Sequence, residues 1–333
     1  MILACDVGGT KTTLAIFDEV DHRLEMVEKE RFSSQDHKGL DAIVDTFMAA
    51  RQRKVQLACF GVAGPVKAHR SRITNLPWVI DARVLADHLG VETVELINDL
   101  EANAYGLGVL GPDDFALLSE GSSDAEGNAA IIAAGTGLGE AGIYWDGRHH
   151  HPFACEGGHT DFAPRNETEM ELLRFLLNRF DRVSYERILS GPGLHSIYQF
   201  LRDSAKEDEP TWLKEEISQG DPAAAISKAA LSQKSELCIR ALDLFVSMYG
   251  AEAGNLALKV MAGGGLFIGG GIAPKILQKL VDGTFMEAYL AKGRMRPLLE
   301  AIPVRVVLNE QTALLGAAHC ARLRAAEEYL SLP

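Results

Sequence analysis

The sequence predicts an α/β protein built from two units of similar plan. Three observations carry this. The chain has 333 residues, and at roughly 150 residues per domain that makes two domains. Short apolar runs broken by Gly-rich turns alternate with segments of helical spacing. Asp6-Val-Gly-Gly-Thr opens one half and Gly135-Thr-Gly-Leu-Gly the other, each in a tight turn between two apolar runs. The echo implies two α/β units facing each other across a cleft.

The elements follow in order. Residues 1–7 read as a strand closed by Gly8-Gly9, and 12–17 follow at once, so the two form a hairpin. A third strand falls at 24–32, a helix at 40–50 and a buried strand at 56–62. Asp81 is placed as the N-cap of a helix to about residue 89. The run 94–97 is a buried strand stopping at Asn98-Asp99, and helical spacing resumes at Leu100. Strands at 129–134 and 141–145 flank the Gly135–Gly139 turn. Residues 166–259 are mostly helical, with the longest piece at 232–260 and a polar, mobile loop at 203–210. Strands at 266–268 and 302–308 and an Ala-rich helix at 312–328 close the chain.

Composition narrows the function. Apolar residues are 47% and charged residues 24% of the chain, which excludes a mainly disordered protein. The charge sum, 33 − 46 = −13, disfavours a general nucleic-acid binder and a partner of anionic membranes. Cys5, Cys59, Cys155, Cys238 and Cys320 include no C-x-x-C pair, so free thiols in a reducing cytoplasm are expected. No apolar run reaches the ~18 residues of a membrane span, and the N-terminus lacks a basic signal region.

The chemistry concentrates in turns. Gly8, Gly9, Thr10 and Lys11 offer backbone amides, a hydroxyl and a cation to a phosphate, while Asp6 just before them can organise Mg²⁺ through water. A plain Gly-Gly hairpin turn explains the same residues equally well. There is no Walker A loop, and Gly137-Leu-Gly139-Glu-Ala-Gly142 matches G-x-G-x-x-G only in letters, because a strand rather than a helix follows it. Asn98-Asp99 ends a buried strand, where a carboxylate faces a ligand crevice or caps the next helix. Glu156-Gly-Gly-His159 sets a carboxylate and an imidazole three residues apart, suited to neighbouring hydroxyls. No H-E-x-x-H spacing favours metal. His149-His150-His151 reads as a solvated loop. Glu186 follows Ser184, a candidate N-cap, and its simplest role is a helix-dipole partner.

Asp6-Val-Gly-Gly-Thr-Lys, Asn75-Leu-Pro-Trp78, Ile97-Asn-Asp99, Gly135-Thr-Gly-Leu-Gly139, Glu156-Gly-Gly-His-Thr-Asp-Phe-Ala-Pro164, Ser190-Gly-Pro-Gly193, Gly269-Gly-Gly-Ile-Ala-Pro274 and Leu314-Leu-Gly316 occur in that order. Together, from residue 1 to about 325, they resemble the bacterial ATP-dependent glucokinases. The resemblance implies an actin-like, ribonuclease-H-like fold of two hinged α/β domains with a central cleft, 1–108 plus 312–333 and 109–311. It implies that Asp99 is the general base for the sugar 6-hydroxyl and that Asn98, Glu156, His159 and Glu186 complete the glucose ligands. Gly8–Lys11 with Thr136 and Gly137 become the two phosphate loops, and Gly270, Gly271 and Lys275 part of the adenine side. Glucose and ATP, the latter with Mg²⁺, are the implied partners of a cytoplasmic homodimer that converts them to glucose 6-phosphate and ADP. Related kinases of the repressor–kinase type carry a cysteine-rich zinc site after the His, where this chain has Thr160-Asp-Phe-Ala-Pro164. Gly64-Pro-Val-Lys67 departs from the family's turn.

Two rivals are weaker. A non-catalytic sugar sensor of the regulator branch carries a DNA-binding helix-turn-helix before the kinase fold, whereas here the first strand begins at once. A structural actin-like ATPase has no reason to combine Asn98-Asp99 with Glu156, His159 and Glu186. ATP, ADP and polyphosphate present similar oxygens to the same loops, so the sequence leaves the donor open among them.

Overall fold

The computed structural model of the chain describes every residue except 22, 52, 74, 75 and 206–208. It divides into two compact units, Met1–Asp114 with Ile143–Ala154 and Asn309–Pro333, and Phe115–Gly142 with Cys155–Leu308. These bounds differ from the expected 1–108 plus 312–333 and 109–311, chiefly in giving 143–154 to the first unit. The physical tie is to the C-terminal tail: the His150 N–H donates to the Leu330 carbonyl at 3.2 Å, and the His149 ring stacks on Tyr329 at 4.3 Å.

In the first unit β1 (Ile2–Val7), β2 (Lys11–Val20) and β3 (Arg23–Ser33) form consecutive antiparallel pairs. After α1 (Leu40–Ala49), β4 (Leu57–Val62) joins β1 in parallel. A small sheet, β5 (Val66–Lys67), β6 (Arg70–Arg72) and β7 (Val79–Asp81), precedes α2 (Ala82–Leu89), which Asp81 caps as expected. Then come β8 (Val94–Asn98) and α3 (Asp99–Leu107), giving a main sheet ordered β3-β2-β1-β4-β8. Central β1 is buried along nearly its whole length, while edge strand β3 alternates between exposed and half-buried positions. The core gathers Leu3, Leu14, Ile16, Phe47 and Phe60. Parallel register sets Val7 beside Val62 and Val62 beside Asn98, so three strands end together at one edge.

The second unit opens with β9 (Phe115–Ser119), β10 (Ala129–Ala134) and β11 (Leu138–Trp145), whose last three residues belong to the first unit, as does β12 (His150–Cys155) up to Ala154; helices α4 (Glu167–Leu177), α5 (Gly191–Ala205), α6 (Thr211–Gln219), α7 (Pro222–Leu231) and α8 (Glu236–Val260) follow. Next come β13 (Gly265–Gly269), three short helices, α9 (Leu277–Leu280), α10 (Thr284–Leu290) and α11 (Arg296–Glu300), and β14 (Val304–Val307). The sheet order is β12-β11-β10-β13-β14-β9. Helix α8 starts where the Ser235 side chain accepts from Cys238 and is buried on most of its circumference, as a core helix must be. Its own Tyr249 packs edge-on against Phe285, in the same core as Tyr198. The final helix, α12 (Thr312–Ala326), belongs to the first unit and packs on α3.

The sequence missed the short strands β5 to β7, β9 and β12, and helices α9 to α11. Of the His149–His151 run expected as a solvated loop, only His149 lies in a loop, while His150 and His151 begin β12. Of the expected mobile loop 203–210, residues 203–205 end α5 and 206–208 lie outside the described residues. No helix among the described residues is long and apolar enough to cross a membrane.

Candidate functional site

The first unit holds one group of predicted residues at its shared strand edge. Gly8–Lys11 makes the β1–β2 turn: the Gly8 N–H donates to the Lys11 carbonyl at 2.9 Å, leaving no room for a Cβ on Gly8. The buried Ser34 hydroxyl donates to the Gly8 carbonyl at 2.8 Å and lies 2.9 Å from Thr12 Oγ1, while the Ser34 N–H reaches the Thr10 carbonyl. Thr10 and Lys11 are exposed. Ser34 went unread in the sequence because its partners lie more than twenty residues away.

At the end of β8, Asn98 and Asp99 divide two tasks that the sequence left open. Asn98 caps α3, its Oδ1 accepting from the Leu100 N–H at 2.9 Å, and the Glu101 carboxylate accepts in return from the Asn98 N–H at 3.0 Å. The Asn98 amide also donates to the Gly64 carbonyl at 3.2 Å. With the cap taken by Asn98, Asp99 is the first residue of α3, half-buried, and its Oδ1 also accepts from Leu100. Gly61 on neighbouring β4 lies so close to Ala102 that a Cβ there would stand 2.9 Å from the Ala102 methyl.

Asp6 lines a cavity of about 110 Å³ with Thr13, Lys29, Arg31, Glu310 and Gln311. Burial pushes the Asp6 carboxyl up to about 6, against the pull of Arg31. Mg²⁺ retains several waters and takes one or two carboxylates; the wall offers Asp6 and Glu310 as such groups, with the cations Lys29 and Arg31 beside them.

The second unit brings Glu156, His159 and Glu186 together. The loop Glu156–His159 is a tight turn in which the His159 N–H donates to the Glu156 carbonyl at 3.0 Å and the Thr160 hydroxyl to the Gly157 carbonyl at 2.7 Å. Arg182 ties it down by donating to the His159 carbonyl at 2.7 Å. The imidazole stands between two carboxylates, with Nε2 3.9 Å from Glu156 Oε2 and Nδ1 3.8 Å from Glu186 Oε1. About half of the His159 and Glu156 side chains remains open to solvent. Ser184 makes no side-chain cap bond. Glu186 is not a simple helix-dipole partner either, because its Oε2 accepts from the Leu138 N–H at 3.2 Å and packs where a Cβ on Gly137 would go.

That contact joins the Glu156, His159 and Glu186 group to the Gly135–Gly139 turn within this unit. The Gly191 N–H at the start of α5 donates to the Gly135 carbonyl at 2.9 Å. Parallel β10 and β13 set Ala133 beside Gly269, so Thr136 and Gly137 lie at the same edge as Gly270 and Gly271. Gly270 has φ +83°, and a Cβ there would overlap the Ala134 carbonyl, so glycine is required on both counts. Thr136, Gly271 and Lys275 are exposed. Asn75, in one of the quoted motifs, lies outside the described residues.

Known proteins match nearly the whole chain. Residues 3–324 match the Glucokinase family. A glucokinase of Nostoc punctiforme is 44% identical over 336 residues, spanning 96% of this chain and 98% of that one. The crystal structure of a glucokinase from an Antarctic psychrotroph is 31% identical with a TM-score of 0.81, covering 96% of this chain and 98% of the other. A ROK family glucokinase from Streptomyces griseus, solved with glucose and AMPPNP, shares the fold at a TM-score of 0.69 and 22% identity, over 96% and 99% of the two chains. The fold is that of the actin-like sugar kinases.

Proposed function

The chain belongs to the glucokinase family and is an enzyme that phosphorylates glucose; from that premise we propose how its residues divide the reaction. The γ-phosphoryl of ATP passes to the 6-hydroxyl of D-glucose. Asp99 accepts the hydroxyl proton, and Asn98, Glu156, His159 and Glu186 hold the sugar. The observation that carries this is His159 set 3.9 Å from one carboxylate and 3.8 Å from another. Carboxylates only accept hydrogen bonds, while a neutral imidazole donates from one nitrogen and accepts at the other. The trio therefore reads adjacent hydroxyls by direction.

Phosphoryl transfer needs in-line placement and neutralised charge more than covalent help. The Gly8–Lys11 turn and the Thr136-Gly137 turn supply backbone amides and a cation, and Gly270, Gly271 and Lys275 serve the adenine side. Asp6 would hold Mg²⁺, which would supply the remaining charge stabilisation. A carboxylate base contributes roughly 10²–10⁴-fold. The ATP analogue and glucose in the Streptomyces griseus relative accord with this pair of substrates. Five free cysteines suit a reducing cytoplasm, and a homodimer is the proposed assembly, open to sedimentation analysis. A coupled assay with glucose and ATP, ADP or polyphosphate tests the whole reading. Glucose-dependent turnover is expected with ATP, and turnover confined to another donor contradicts it.

A further inference from the structure

Glu140 is an acid with no part in the chemistry above. It lies on β11, two residues past the Leu138 N–H that Glu186 binds, and its side chain is 1% exposed. Its Oε1 has no hydrogen-bond partner. Its Oε2 presses against Gly157, where any Cβ would overlap it. Gly157 is the second residue of the Glu156–His159 turn, so this carboxyl is the floor beneath the turn.

Among the described residues the surroundings provide no dedicated counter-ion. From α8, Glu252 and Lys259 face Glu140, and Tyr249 lies within electrostatic reach. Lys259 is already bound to buried Glu252 at 3.1 Å, and Asn255 donates to the same carboxylate at 2.7 Å. From the end of β12, the Cys155 thiol donates to the Glu140 backbone carbonyl, and Glu156 begins the turn. A buried carboxyl with one oxygen left unpaired is favoured neutral, and ionising it demands water or a redirected cation. Burial and the Glu252 charge together push it up to about 7, with Lys259 opposing.

We propose that Glu140 is a positioning residue for glucose: neutral, it seats the Glu156–His159 turn from below, and ionised, it draws in water that lifts Gly157 and loosens the sugar's ligands. Glucose affinity therefore falls as pH rises through neutrality. This rests on the reading that the turn binds glucose.

The test is calorimetry with glucose alone, from pH 6 to 8, on the parent, Glu140→Gln and Glu252→Gln. For the parent, Kd should rise about five- to tenfold over that range, with proton uptake on binding seen as a dependence of heat on buffer. Glu140→Gln, isosteric and unable to ionise, should show neither, while keeping His159 and Glu156. Glu252→Gln removes the like charge and should move the midpoint to lower pH. Equal pH slopes and proton uptake in parent and Glu140→Gln overturn the proposal, as does an unmoved midpoint in Glu252→Gln. Should Glu140→Gln fail to fold, the Glu252→Gln midpoint alone decides. Glu156→Ala run alongside separates the two readings: normal glucose binding there defeats the site assignment rather than the role of Glu140.

Discussion

At the residue scale, the Asn98–Asp99 pair shows how two residues equally suited to a helix cap divide the start of one helix. Asn and Asp are equally good N-caps, so the dipeptide alone left the cap unassigned. The capping box with Glu101 resolves it, and the Asn-x-x-Glu spacing was legible in the sequence. Asp99→Asn should lower kcat by ~10²–10⁴-fold with a modest change in glucose binding; steady-state kinetics with near-parental turnover would remove Asp99 from the role of base. Glu140 was not legible, because the charges that act on it, Glu252 and Lys259, lie more than a hundred residues on. It also carries a stability signature. The folded carboxyl is raised from 4.5 to about 7, so the folded state retains a proton that the unfolded state has released across that window. Parent stability then declines as pH rises from about 4.5 to 7. Glu140→Gln should be more stable than the parent by about 1–3 kcal/mol at pH 8 and show no such margin below pH ~4.5. Urea unfolding at both pH values checks this, and a margin independent of pH contradicts it.

At the scale of elements, the turns are held by residues remote in sequence. Ser34 braces the Gly8–Lys11 turn through one backbone carbonyl and Thr12. Losing such a buried partner costs about 1–3 kcal/mol. Ser34→Ala should therefore raise the KM for ATP several-fold while leaving the KM for glucose nearly unchanged, and an equal rise in both would assign Ser34 to general stability. Helix α3, which begins with Asp99, is set by α12. Gly316 leaves no space for a Cβ beside the Ala102 carbonyl, and Gly106 none beside Thr312. Gly316→Ala should cost ~1–3 kcal/mol by overpacking, read as a lower thermal midpoint; an unchanged midpoint would show that the helices can part freely. Periodicity gave these helices but not their close approach, since small residues on a helix face have no partner in a single sequence.

At the scale of the whole molecule, the internal echo seen in two Gly-rich turns is matched by the sheets. One runs β3-β2-β1-β4-β8 and the other β12-β11-β10-β13-β14, with β9 added at its edge. In each, the Gly-rich turn joins the first strand to its hairpin partner. The strands at the sites were legible because buried runs end abruptly at Gly or at Asn98-Asp99. The unit boundary was not, because 143–154 is tied to the first unit by the Leu330 bridge and the Tyr329 ring. Short β5 to β7 are too brief for alternation to register.

The central claim is that the Glu156, His159 and Glu186 trio holds glucose. An unpaired buried polar group costs about 1–3 kcal/mol, more if charged. Calorimetry of glucose binding to EDTA-treated parent, Glu156→Ala and His159→Ala measures this directly. The parent should bind normally without metal, and each variant should bind at least tenfold more weakly. Parental affinity in Glu156→Ala, or loss of binding in the EDTA-treated parent with recovery on adding zinc, would contradict it.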